Sequence, residues 1–431
     1  MLNAVKNSIV IALIKISPKY LIFYFVNLVY LMGSRHAFNI LRRTPLAKIE
    51  NLPYQFVSRH HILTQLESSA YKVLVLDEER YESIRTPNVY QLVNNNFLTL
   101  NKREIAIYCF PNAKIRAKSD IVKIGNNVFW EKANRPEFAQ VIPADCDYLA
   151  IEKINGNVTT FTGKTTRHFG VGYNLCGVHT NAWAHFVVSY LPKLISIRDF
   201  FNDPVLKIFV PNNILQNNKD LIYFTIENLI SKIKIEIIYV DDDETIECSQ
   251  LYHCSDINYL CDHTKYMSPA SSCISIYGAK AIHEVANRIW LNINNTHLRK
   301  LYIGRGSGRN LINASEVEDY FLYNGFEIIH PHLMTLEEKI NIFGNASHIV
   351  GPVSSGFANF IFSKNKIKIL GFSNFTRAFD TFISGLNSSG NFNHELMVIT
   401  GDEEVSSDIN NSFYIELKKI KIYCEQANYF D

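Results

Sequence analysis

Residues 300–372 alternate short apolar runs with helical patterns, and that alternation restricts the fold more than any other feature of the chain. KLYIGR, FEIIHP, SHIVG and IKILGF read as strands. SEVEDYFLYNG and TLEEKINIFGNA read as helices between them. Gly325 is the expected stop of the first helix, and Thr335 with Glu338 gives the second a capping box. This β-α-β-α-β-α-β order predicts a parallel, doubly wound sheet. In Ser347–Asn359, SHIVGPVSSGFAN, a strand ends at Val350; Gly351, Pro352, Val353, Ser354, Ser355 and Gly356 follow, then the apolar FANFIF. A small-residue loop that opens a helix leaves backbone N–H groups at the positive end of the helix dipole, which suits a phosphate. Arg305 and Arg309, in LYIGRGSGRN at an earlier strand end, supply counter-charge. Gly and Ser after a strand also make simple tight connections; the arginines favour the phosphate.

With 431 residues, the chain is too long for one ordinary core, so two or three domains are expected. Hydrophobic residues make up 47% and charged residues 19%, which excludes a disordered chain. A net charge of +2, with no basic tract, gives no reason to expect a nucleic-acid partner. The eight cysteines form no CxxC pair and read as reduced thiols of a cytosolic protein. Cys248, Cys254 and Cys261 with His253 and His263 fit no standard zinc spacing. Asn-x-Ser/Thr triplets at Asn157, Asn345 and Asn387 follow from the abundance of Asn.

Residues 1–33 are apolar but interrupted by Lys6, Lys15, Pro18 and Lys19; the longest clean run, 20–32, falls short of the roughly 20 residues a spanning helix needs. No signal-peptide cleavage site is expected. Lysines beside apolar residues suit a helix lying on an anionic membrane surface. A helical hairpin packed on the protein or on a second subunit accounts for them equally well. A cytoplasmic location follows, with peripheral contact on the cytoplasmic face of the inner membrane if the first account holds.

Residues 35–70 read as a linker plus a short helix, and 71–161 as short strands and turns. From about Val171 helices and strands alternate: NAWAHFVVSYLPKLISIRDFF, a strand KIFVPNN, a helix near Lys219–Ile233, a strand IEIIYVD and a helix Ala279–Asn292. Two α/β sets in tandem predict two Rossmann-like domains facing a cleft, after a β-rich N-terminal region. The expected divisions are 1–70, 71–298 and 299–431.

The segment from KLYIGRGSGRN to IKIL resembles the glycosyltransferase family 61 domain. The order is the same: a strand with arginines, "GFEII-P", a helix ending in "F-x-x-A", then "IVGP-x-x-x-G-x-x-N". NAWAHFVVSYLPKL resembles the family's "N-Y-x-H-W…LP-R-L" segment, and AIYCFPNAKIRAKSDIVKIGNNVFW its preceding strand region, so the likeness spans roughly residues 100–372. The family includes plant xylosyltransferases and many bacterial capsule and lipopolysaccharide enzymes. The resemblance implies a GT-B fold and an inverting transfer from a nucleotide-sugar to a glycan or lipid-linked acceptor, with no cofactor and no obligatory metal. On the donor side it points to Arg305, Arg309, Gly351, Pro352, Gly356 and Asn359, and on the other side to His185 and Pro192. Three positions depart from the family pattern: Val353 replaces a histidine, Ser189 an acid and Gly371 a glutamate. They motivate an alternative, a non-catalytic GT-B-like subunit that binds glycan.

An inverting transfer needs a base for the acceptor hydroxyl and positive groups for the departing phosphate. Backbone N–H groups around Ser354, Ser355 and Gly356, with an arginine, suit the second task. His185, on the first helix of the first α/β set, is the favoured base, followed by His179 and then the His283–Glu284 pair. His330 and His332 lie where α/β sheets hold ligands. Asp241-Asp242-Asp243-Glu244 after a strand has the form of a metal-binding DxD, although its place far from the phosphate loop favours a solvated turn.

Overall fold

The computed structural model describes residues 56–63, 69–85, 88–90, 97–131, 150–152, 157–162, 165–259, 273–293, 297–306, 311–373, 383–401 and 412–430. The apolar segment 1–33, Arg309, Cys261 and His263 lie outside these residues. Among the described residues, no helix is long and apolar enough to cross a membrane.

The fold is mixed α/β, carried by two large sheets. Strand β1 (Ile105–Arg116) is buried along most of both faces. Strand β2 (Thr165–Asn174) leads to helix α1, which has three parts: one turn at Trp183–His185, a π-helical stretch at Phe186–Tyr190, and regular helix at Leu191–Phe200. The wide stretch has a local cause. Pro192 has no N–H to donate to the turn before it, and the Leu191 N–H reaches back to the Phe186 carbonyl. Strand β3 (Val205–Pro211), helix α2 (Gln216–Leu229), strand β4 (Lys234–Val240), strand β5 (Glu244–Cys254) and helix α3 (Ile276–Trp290) follow. Helix α3 begins earlier than its apolar pattern suggests, because the Ser275 side chain caps it by accepting from the Gly278 N–H.

Strands β4, β3, β2 and β5 lie side by side and parallel. Strand β5 then pairs antiparallel with β1, and the same sheet continues through 122–124, 127–129 and Phe56–Leu63. The β-rich region and the first α/β set therefore share one sheet. The long β1–β5 ladder, from Ile107↔Cys254 to Arg116↔Thr245, makes that join.

The second sheet contains strand β6 (Arg299–Ile303), helix α4 (Ala314–Tyr323), strand β7 (Glu327–Ile329), helix α5 (Leu336–Gly344), strand β8 (Ala346–Pro352), the 3₁₀ helix Ser355–Phe362, strand β9 (Lys368–Ser373) and strand β10 (Glu395–Thr400). Its order is β7-β6-β8-β9-β10, all parallel, with Asn88–Val89 added at the β10 edge. The local signals hold. Gly325 takes φ +80°, the Phe326 N–H reaches the Phe321 carbonyl and the Gly325 N–H that of Leu322, closing α4 as a Schellman motif. Thr335 and Glu338 form the expected capping box. The helix after β8 is 3₁₀ rather than α. Its steeper rise, about 2 Å per residue, lets a short connection run back along the strands, and every side chain from Phe357 to Phe362 is buried.

One apolar cluster runs from Ile208 of β3 through α1 and α3 to Phe343, Ile349 and Phe357 beside the second sheet. Polar bonds cross the same seam: Trp290 Nε1 donates to the Phe362 carbonyl at 2.8 Å, and Asn217 Nδ2 to the Met334 carbonyl at 2.8 Å.

Gly351 sits inside β8 at φ +144°, where a Cβ would come within 2.6 Å of the Ile303 carbonyl oxygen in β6. Backbone cannot yield there as a side chain can. Gly351→Ala is expected to cost about 2–3 kcal/mol, read as a lower urea midpoint with an unchanged slope.

Candidate functional site

Three strands of the second sheet end together. Strand β6 ends at Ile303 and is followed by Gly304, Arg305 and Gly306; β7 leads to His330, Pro331 and His332; β8 ends at Pro352 and is followed by Val353 to Gly356. The carboxyl edge of a parallel sheet is where such folds hold ligands. The glycines are seats for imidazoles: a Cβ on Gly304 would meet His330 Cε1 at 2.4 Å, and one on Gly306 would meet the His332 ring at 3.0 Å. Arg305 spans from the β6 end to the β8 end, its Nη1 donating to the Val353 carbonyl at 2.7 Å. The Val353 N–H donates to Phe372 at 2.9 Å, so the loop is tied from both neighbouring strands.

The 3₁₀ helix starts just beyond, with Ser354 and Ser355 towards solvent. The Ser354 side chain makes no capping bond, and the Phe357 N–H donates to the Ser354 carbonyl at 3.0 Å, so the Ser355 and Gly356 N–H groups are the ones left without a partner among the described residues. Asn359 is 0% exposed. Its Nδ2 donates to the Gly356 carbonyl at 2.8 Å and closes the first turn, while its Oδ1 has no partner among the described residues. Pro352 ends the strand, and Gly351 lies within it.

The Trp183–His185 turn of α1 packs against this 3₁₀ helix, with the Trp183 and Phe362 rings 6.1 Å apart. His185, half-buried, stacks on His179 with centroids 4.6 Å apart and planes 26° from parallel. The two imidazoles ranked first and second in the sequence thus form one pair. The third choice lies elsewhere. His283 is wedged edge-on against Trp290 and Phe392, and burial lowers its pKa; Glu284 pairs with Arg198 at 2.7 Å.

The acidic run after β4 is engaged by neighbouring groups. Arg167 clasps the Glu244 carboxylate, Lys118 pairs with Asp242, and Asn212 donates to Asp241 at 2.7 Å. Cys248 and Cys254 are buried, and burial pushes both thiols up to about 12. Burial, and then the charge of Lys193, pushes His253 down to about 3.

Sequence reasoning missed Lys339. Helix α5 buries Leu336, Lys339 and Phe343, so the lysine occupies an apolar stripe; that misplaced charge was the readable signal. Lys339 is 3% exposed, and its ammonium lies over the Trp183 ring, 4.1 Å from the centroid. No carboxylate among the described residues pairs with it. A desolvated cation–π contact is worth about 2 kcal/mol, whereas burying an ammonium costs several. Burial accordingly lowers its pKa from 10.5 to about 8.

The sign of this effect follows directly. Between pH 8 and 10.5 the unfolded chain holds a proton on Lys339 that the folded chain lacks, so stability rises with pH through that window, and the penalty is complete below it. Lys339→Met should therefore melt higher than the wild type at pH 7, and the gap should shrink as pH rises from 8 towards 10. Parallel calorimetry of the two proteins checks this.

The family model described as Glycosyltransferase 61 matches residues 183–370. That span opens at Trp183 and closes in β9, so it includes both halves of the site. No curated protein matches the chain.

Proposed function

We propose that the protein, whose residues 183–370 match the Glycosyltransferase 61 model, is a glycosyltransferase that moves a sugar, with inversion, from a nucleotide-sugar to a glycan or lipid-linked acceptor of a bacterial surface polysaccharide. The observation that carries this reading is the shared 3₁₀ helix. Its amino end adjoins the loop held by Arg305, and its flank carries the turn bearing His185.

In this reading the donor's diphosphate lies against the Val353–Gly356 loop. An imidazole nitrogen of His185 takes the acceptor proton. The acceptor oxygen forms its bond to the anomeric carbon as the bond from that carbon to the phosphate oxygen breaks. The electron pair leaves with the diphosphate, whose charge Arg305 and the N–H groups of Ser355 and Gly356 stabilise. His330 and His332, seated on Gly304 and Gly306, are placed to meet the sugar or base. Arg309 would add a second positive charge. The reading needs no metal, consistent with the cationic and amide partners that engage Asp241, Asp242 and Glu244. The two sheets would act as the acceptor and donor halves of a GT-B arrangement, and the apolar N-terminus would keep the protein on the cytoplasmic face of the membrane, near a lipid-linked acceptor.

Purified full-length protein should be melted with UDP-, GDP-, CMP- and dTDP-sugars, with and without chelator. One nucleotude class should raise the melting temperature by a few degrees, chelator should change nothing, and Arg305→Ala should lose the shift. His185→Ala should keep the shift and lose transfer by about 10²–10⁴-fold. If no nucleotide shifts the wild type, the transferase reading gives way to a glycan-binding subunit.

A further inference from the structure

The transfer site has two halves on different sheets, and a buried cation lies between them. Lys339 belongs to α5 of the second sheet, whereas Trp183, whose ring it covers, opens the turn that carries His185. The Phe362 ring of the 3₁₀ helix also lies beside Trp183, with centroids 6.1 Å apart. Trp183 is thus gripped by two elements of the donor half. Methionine or leucine would fill the position of Lys339 without the desolvation cost of an ammonium, yet the chain keeps a charge there with no carboxylate to answer it among the described residues. A cation over an indole face fixes ring position more narrowly than an aliphatic contact, because the attraction is centred on the ring.

We propose that Lys339 is a positioning residue of the transfer site: through the Trp183 ring it fixes the His185 turn against the donor loop. It does so from the core, and the base and the leaving-group donors keep their register across the seam. This inference rests on the transferase reading.

Three proteins test it: the wild type, Lys339→Met and Lys339→Arg, each in full-length form. The melting comparison predicted above checks that Lys339→Met folds, and Lys339→Arg keeps the charge. With the donor nucleotide identified by melting, Lys339→Met should bind it with unchanged affinity and an unchanged donor KM. Its kcat should fall by about 100-fold, the scale of a misplacement near 1 Å, and Lys339→Arg should recover most of that loss. A second readout is independent of transfer. In a Trp130→Phe/Trp290→Phe background, Trp183 is the only tryptophan left, and its emission should rise in Lys339→Met, which removes the ammonium 4.1 Å from its ring centroid. Unchanged Trp183 emission in all three overturns the contact itself. A wild-type kcat in Lys339→Met overturns the positioning role and leaves the transferase reading intact. A wild-type protein that binds no nucleotide and transfers no sugar overturns both, and the emission change would then mark a purely structural contact.

Discussion

The burial of the 3₁₀ helix from Phe357 to Phe362 is the constraint on which the site depends. This segment has no solvent face beyond its first turn. It is pressed between α5, α3 and the Trp183–His185 turn, and two bonds hold its carboxyl end: Ser363 donates to the Phe343 carbonyl at 2.9 Å, and Trp290 to Phe362 at 2.8 Å. Only its amino end, at Ser354 and Ser355, reaches water. The fold therefore delivers free N–H groups at a fixed place on the sheet edge, and it does so because the rest of the segment has nowhere else to go.

Charge at this edge is distributed with little slack. Arg305 is anchored to the loop backbone, and the imidazoles of His330 and His332 rest where glycine leaves room. The strongest acidic run of the chain is engaged away from it by Arg167, Lys118 and Asn212. An anion arriving at the loop meets donors and no carboxylate of that run. Lys339 is the exception in placement, a cation within the seam rather than at its mouth, 3% exposed and set over the Trp183 ring.

The second sheet was legible because its signals are local. Gly325, Thr335 with Glu338 and the apolar strands each declare themselves within a few residues, and each takes the expected form. What escaped was decided by distant partners. The single sheet through β1 and β5 depends on a ladder between residues more than a hundred positions apart. The stacking of His179 on His185 depends on how the loop before α1 folds back. Gly351 is visible in the sequence as a glycine before a loop, but its reason is the Ile303 carbonyl across the sheet. Lys339 reads as an ordinary surface lysine unless the phase of its helix is followed.

The three departures from the family pattern take on a common physical sense in this frame. At Val353 the backbone holds the position: its N–H meets Phe372, its carbonyl meets Arg305, and its side chain leans on the core. A histidine there would present a ring from the same loop, so its loss removes a side-chain contact and leaves the cradle standing. Gly371 faces Gly351 in register across β8 and β9, two residues without side chains at one level of the sheet. Ser189 lies in the π-helical stretch, whose geometry comes from Pro192 and the Leu191–Phe186 bond rather than from the serine. In each case backbone hydrogen bonding and packing carry the architecture, so the fold at these positions does not depend on the family's side chain.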